Sequence, residues 1–201
     1  MKRLFLILSI AICQFSFIQA QPSAKSVLDK CAATVSAKEG ISAQFRMESA
    51  QYGNASGTIA VKGKKFHATT AAASMWFDGT TQWTYLQKNN EVSVVTPTEA
   101  QLQAINPYNF INLYKKGFTY TMSTSASSYQ VHLTAEDPKR KVQEMFITID
   151  KNNNTPSEVK IRQGNKWTTF VITHLTTQKL DDSEFVFSSK DFPSAEVIDL
   201  R

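Results

Sequence analysis

Three histidines, two cysteines and one adjacent pair of aspartates are the side chains best equipped for chemistry in this 201-residue sequence. His67, His132 and His174 lie far apart, each within a segment that reads as a β-strand. None shows metal-ligand spacing such as H-x-H or H-E-x-x-H, so each reads as an ordinary strand residue. Cys31 falls on the apolar side of a helical pattern with Val27, Leu28 and Val35, the usual place of an inert buried thiol. Asp181 and Asp182 sit in a polar turn facing solvent. There is no G-x-S-x-G, no Gly-rich phosphate loop and no carboxylate pair placed to shift its proton affinity. Neither a catalytic constellation nor a cofactor motif emerges, and an enzyme is not supported. What the sequence does offer is a surplus of large apolar side chains assigned to one face of the strands. They are Phe45, Met47, Ile59, Val61, Phe66, Met75, Phe77, Trp83, Tyr85, Phe118, Tyr120 and Met122. Two readings follow: the packed core of a β-domain, or the wall of an apolar cavity.

These side chains need strands to carry them. Residues 23–38 repeat apolar positions Ala24, Val27, Leu28, Cys31 and Val35 at helical spacing. From Ile41 the period becomes two, with Ile41, Ala43, Phe45 and Met47 alternating with polar neighbours. Further short strands are expected at 59–61, 66–70, 74–77, 82–86, 91–95, 119–123, 128–135, 142–149, 157–162, 166–175 and 185–187. Turn signals such as Asp78-Gly79 and Gly164-Asn165 separate several of them. Such a meander implies a mainly β fold, one antiparallel sheet strongly curved or closed into a barrel.

Residues 96–117 break the meander. Thr96-Pro97-Thr98-Glu99 has the form of a capping box, and Asn106-Pro107 begins a second short helix that ends at Lys115-Lys116-Gly117. Leu102, Ile105, Phe110, Ile111, Leu113 and Tyr114 give these helices an apolar side, so the segment reads as a lid over the sheet.

The amino terminus has the layout of a secretory signal. Lys2 and Arg3 precede an apolar run from Leu4 to about Ile12, and Ala20 marks the expected cut although Ile18 is large for its position. A lipid-modified Cys13 would need a small residue before it, where Ile12 stands. The expected chain is an exported domain over residues 21–201 with Cys31 as its one cysteine, hence no internal disulfide. Loss of the leader, with the charges of Lys2 and Arg3, lowers the formal charge from +5 to +3, which gives no case for nucleic-acid binding.

Four segments in order resemble one family. Gly57-Thr58-Ile59-Ala60-Val61-Lys62 with Lys65-Phe66 resembles a G-x-hydrophobic-x-V-K…F strand pair. Residues Phe77-Asp78-Gly79-Thr80-Thr81-Gln82-Trp83-Thr84-Tyr85 resemble an S-D-G-K-T-L-W-x-Y hairpin. Asn106-Pro107 to Leu113 resembles a helix opening on N-P, and Phe185-Val186-Phe187 with Pro193 and Val197-Ile198-Asp199 resembles an F-x-F…P-x-G-V-x-V-x-D ending. The family is the periplasmic outer-membrane lipoprotein carrier, LolA, in a divergent form.

The resemblance implies an unclosed β-barrel with an N-terminal helix and a short helical lid. It implies a periplasmic monomer whose apolar cavity holds lipoprotein acyl chains, received from an inner-membrane ABC transporter and passed to an outer-membrane acceptor. The ligand-binding residues are then Phe45, Met47, Ile59, Val61, Phe66, Met75, Phe77, Trp83 and Tyr85, with Leu102, Ile105, Phe110, Ile111 and Leu113 on the lid. The family's Arg-Pro after V-K, whose Arg fastens the lid, is replaced here by Gly63-Lys64, leaving Lys64, Lys65 or apolar contact alone to do so. The alternatives are a lipid- or lipoprotein-sensing module of the same fold, and a secreted structural β-domain with a filled interior. Convergence of the three histidines would instead point to an enzyme.

Overall fold

In the computed structural model, residues 21–98 and 113–201 are described. Helix α1 spans Ala24–Val35 and opens where the Ser23 hydroxyl accepts the Ser26 N–H at 3.1 Å. Its buried side is Val27, Leu28, Cys31, Ala32 and Val35, the stripe expected from the spacing. The helix stops short of Lys38 because Ser36 closes it, donating its N–H to the Ala32 carbonyl at 3.0 Å. Gly40 then turns the chain at φ +109°, and a Cβ there would lie 2.6 Å from Leu180 Cδ1. Both the conformation and the space demand glycine.

Twelve strands follow: β1 Ile41–Ser49, β2 Gly53–Lys62, β3 Lys65–Thr70, β4 Ala73–Phe77, β5 Gln82–Leu86 and β6 Glu91–Val95. Then come β7 Phe118–Thr124, β8 Ser128–Ala135, β9 Glu144–Asp150, β10 Pro156–Gln163, β11 Lys166–Thr177 and β12 Glu196–Asp199. They form one sheet in the order β12-β6-β5-β4-β3-β2-β1-β11-β10-β9-β8-β7. Every neighbouring pair is antiparallel except β12 with β6. The sheet is curved but open, with β12 and β7 as its two edges, and α1 packs against β7 and β8. The expected mainly β, unclosed barrel with an N-terminal helix is what forms.

Turn chemistry sets the register. Gly63-Lys64 links β2 to β3 as a two-residue turn, with Gly63 at φ +60°, as a type II′ turn requires at its first central position. That is a local reason for glycine at the place where the family carries Arg. His174, at φ +52°, lies at the irregularity where β11 shifts register against β1.

One expectation needs correction. Residues 185–187 are not a strand: Asp182–Phe185 is a 3-10 turn with a reciprocal capping box between Asp181 and Glu184. Beyond it β12, exposed along its length, pairs with β6. The helices expected between Glu99 and Asn112, with Leu102, Ile105, Phe110 and Ile111, lie outside the described residues.

Cross-strand partners share a face, so the register sorts every side chain. The inner face, which carries α1, holds Ile41, Val61, Phe66, Phe77, Phe118, Val131, Leu133, Met145, Ile147, Val159 and Ile161 in one core. The outer face has an apolar cluster of its own. Trp76, Tyr85, Phe187 and Phe192 meet with ring centroids 4.6–5.6 Å apart, and Val92, Val94 and Phe185 are buried. Residues 178–201 cover this cluster like a strap. Lys62 Nζ donates to the Leu180 carbonyl at 2.8 Å, Lys62 and Lys65 pair with Asp182 at 2.9 and 2.8 Å, and Asn90 Nδ2 donates to the Ser194 carbonyl at 2.7 Å.

Candidate functional site: the inner face of the sheet

The inner face divides into a closed zone under α1 and a wall that is only half buried. Val61, Phe66 and Phe77 belong to the closed zone, at 4%, 0% and 2% exposure. Phe45, Met47, Ile59, Met75, Phe170 and Ile172 share that face but are half buried. Tyr120 and Met122 continue it on β7, beside the buried Phe118. Phe170 and Ile172 join through the β1–β11 register, opposite Met47 and Phe45. The alternation of β11 is the signal that could have found them.

Trp83 and Tyr85 are not on this wall. Trp83 pairs with Trp76 and Tyr85 with Ser74, both on the outer face, where Phe192 lies 4.6 Å from Tyr85. The physical reason is parity. The β4–β5 loop has an even number of residues, so Phe77 pairs with Gln82 and the aromatics of β5 face the other way. The inner face of β5 and β6 therefore carries Gln82, Thr84, Ser93 and Glu91 together with Leu86 and Val95. Gln82 is 7% exposed; its Nε2 donates to Thr84 Oγ1 at 3.1 Å, while its Oε1 is buried with no hydrogen-bond partner among the described residues.

The end of the 96–117 segment is fastened where it re-enters the fold. Leu113 packs on the core, and the buried Tyr114 donates its hydroxyl to Asp29 Oδ1 on α1 at 2.5 Å. Burial and this bond push the Tyr114 phenol upward, whereas Lys25, 2.6 Å from Asp29, and Tyr114 itself hold the Asp29 carboxyl below its ordinary range. Arg140 donates to the carbonyls of Lys116 and Gly117 at 2.7 and 2.9 Å and stacks over Phe118 at 4.6 Å. A Cβ on Gly117 would meet Arg140 Nη1 at 2.3 Å. Lys65, one candidate for the missing Arg, spends its charge on Asp182 of the strap.

The titratable groups stay scattered. His67, His132 and His174 occupy β3, β8 and β11, separated in the strand order, and no metal-binding group of His, Cys, Asp or Glu occurs among the described residues. His67 stacks on Trp76 with centroids 4.9 Å apart and is held below its ordinary proton affinity by burial. His132 stacks on Phe146 at 4.1 Å, with Nε2 3.4 Å from Glu144. Cys31 is buried on α1, its thiol pushed up to about 12 by desolvation. Two hollows lie away from the inner wall: one of about 610 Å³ beside Lys38, Lys64 and Asp78, and one of about 600 Å³ between His67, Trp76 and the strap.

One open, mostly antiparallel sheet folded on one helix thus carries a half-buried apolar inner wall. Residues 14–165 match the family described as outer membrane lipoprotein carrier protein LolA, and the chain belongs to that family. Among solved structures, an uncharacterized conserved protein from Thermus thermophilus shares the fold at a TM-score of 0.60 and 10% identity. That likeness covers 89% of this chain and 99% of the other. MucB matches at a TM-score of 0.51 and 10% identity over 83% of this chain, which spans 63% of the MucB chain. Mycobacterium tuberculosis lipoprotein LppX aligns at a TM-score of 0.43 and 11% identity, over 79% of this chain and 99% of its own. No curated protein matches the sequence significantly. No helix among the described residues is long and apolar enough to cross a membrane.

Proposed function

We propose that this protein is a periplasmic carrier that binds the acyl chains of lipoproteins against the inner wall formed by Phe45, Met47, Ile59, Met75, Phe170 and Ile172. One observation carries the reading. On the outer face Trp76 and Tyr85 stack with Phe187 and Phe192 of the chain's own strap, and on the inner face a continuous row of apolar side chains from β1, β2, β4 and β11 stands half buried. Each methylene buried there contributes about 0.8 kcal/mol, so long chains bind tightly without a specific polar contact. Membership of a family described as outer membrane lipoprotein carriers supports the same class of ligand.

In this reading Val61, Phe66 and Phe77 form the floor, and Leu102, Ile105, Phe110, Ile111 and Leu113 cover the wall when it is empty and move aside when it is loaded. Val95 and Phe118 support that role, since they stand on β6, the second strand from one edge of the sheet, and on β7, the other edge. An inner-membrane ABC transporter would load the protein, and an outer-membrane acceptor would drive release by competing for the chains. Native mass spectrometry and lipid extraction of protein purified from the periplasm are expected to show bound lipoprotein or acyl lipid. Protein purified empty, with a fully packed interior, would sink the carrier reading and favour a structural β-domain.

A further inference from the structure

We propose that Gln82 and Thr84 recognise the amide that links an acyl chain to an amine, so that the site takes N-acylated ligands in preference to ester-linked ones. This rests on the reading of the inner face as the acyl site. Three observations point to it. First, β5 and β6 turn apolar Trp83, Tyr85, Val92 and Val94 outward, and their inner face sets Gln82, Thr84, Ser93 and Glu91 beside Leu86 and Val95. Second, Gln82 stands where the hairpin pattern S-D-G-K-T-L-W-x-Y has Leu, so a polar amide replaces a side chain that would pack beside Phe77 at no cost. Third, that amide is only half satisfied: Nε2 donates to Thr84 Oγ1 at 3.1 Å, and Oε1 is buried without a partner among the described residues. A buried acceptor left unpaired destabilises the empty protein and rewards any ligand that brings a donor.

The missing partner must be an N–H or O–H beside an apolar chain. An ester offers only acceptors; a secondary amide offers one N–H and one carbonyl. Gln82 Oε1 accepts that N–H, and the Thr84 hydroxyl, which accepts from Gln82, keeps its hydrogen to donate to the carbonyl.

Methyl dodecanoate and N-methyldodecanamide differ by O against N–H and test the idea directly. Their affinities are read by displacement of a fluorescent fatty acid from the wild-type protein and from Gln82→Leu. The wild type is expected to prefer the amide by about tenfold, the worth of one buried hydrogen bond. Gln82→Leu is expected to keep the ester affinity, lose the preference and melt no lower than the wild type. Wild-type binding of both probes without preference, or an unchanged preference in Gln82→Leu, overturns this inference and leaves the carrier reading standing. Failure of both probes to bind the wild type overturns the two together. The wild-type ratio decides the matter even if the variant does not fold.

Discussion

Asp182 is the residue on which the strap's electrostatics turn. Its carboxylate meets Lys65 at 2.8 Å and Lys62 at 2.9 Å, and these bonds lower it from 3.8 to about 2. Because the folded state holds this group deprotonated, its contribution is full above the unfolded value and disappears as pH falls from about 3.8 to about 2. Acid unfolding of the wild type and Asp182→Asn should therefore diverge above pH 3.8 and converge near pH 2. A constant offset at all pH values would assign Asp182 a role other than this pairing. Other residue-scale features were readable beforehand in part. The burial of Cys31 followed from helical spacing. Arg140, which fastens the Lys116 and Gly117 carbonyls, was not read, because a side chain reaching back 23 residues to a backbone oxygen leaves no local pattern.

At the scale of elements, the strap is the part the sequence concealed. Phe185-Val186-Phe187 has the composition of a strand, yet the Asp181–Glu184 capping box winds its start into a 3-10 turn. That turn puts Phe185 at 0% exposure against the sheet, while Val186 stays 42% exposed. Phe185→Ala is expected to cost about 3–5 kcal/mol in urea unfolding, against less than about 0.5 kcal/mol for Val186→Ala. Equal effects would mean that the strap is not a packed element. The strands themselves were largely legible, since period-two alternation and turn residues are local signals. What went wrong was the facing of β5. Trp83 and Tyr85 read as inner residues from their apolar character, but the four-residue loop 78–81 pairs Phe77 with Gln82 and turns both aromatics outward. The alternation of β5 is plain, but which face turns inward is not a local signal, because the segment that covers the outer face lies far downstream in the chain.

For the whole molecule, the order of the sheet explains how one chain makes two apolar layers with different fates. The strap closes the outer layer from within the chain. In the inner layer Phe66, Val131, Leu133, Met145 and Ile147 are fully buried in one core with α1, Ile59, Met75, Phe170 and Ile172 pack against that core half buried, and Phe45 and Met47 are half buried. The resemblance to lipoprotein carriers implied the unclosed sheet that forms. It did not anticipate the Gln82–Thr84 polar strip, since the corresponding hairpin position in the family pattern is apolar. The central claim, that acyl chains lie on the inner wall and not on the outer aromatics, is tested most directly by site-specific photo-cross-linking. A benzophenone side chain placed at Phe45 or Met75 should cross-link to acyl chains in cells, and one at Trp83 or Tyr85 should not. Cross-linking confined to Trp83 and Tyr85, or absent from all four positions, would contradict the account.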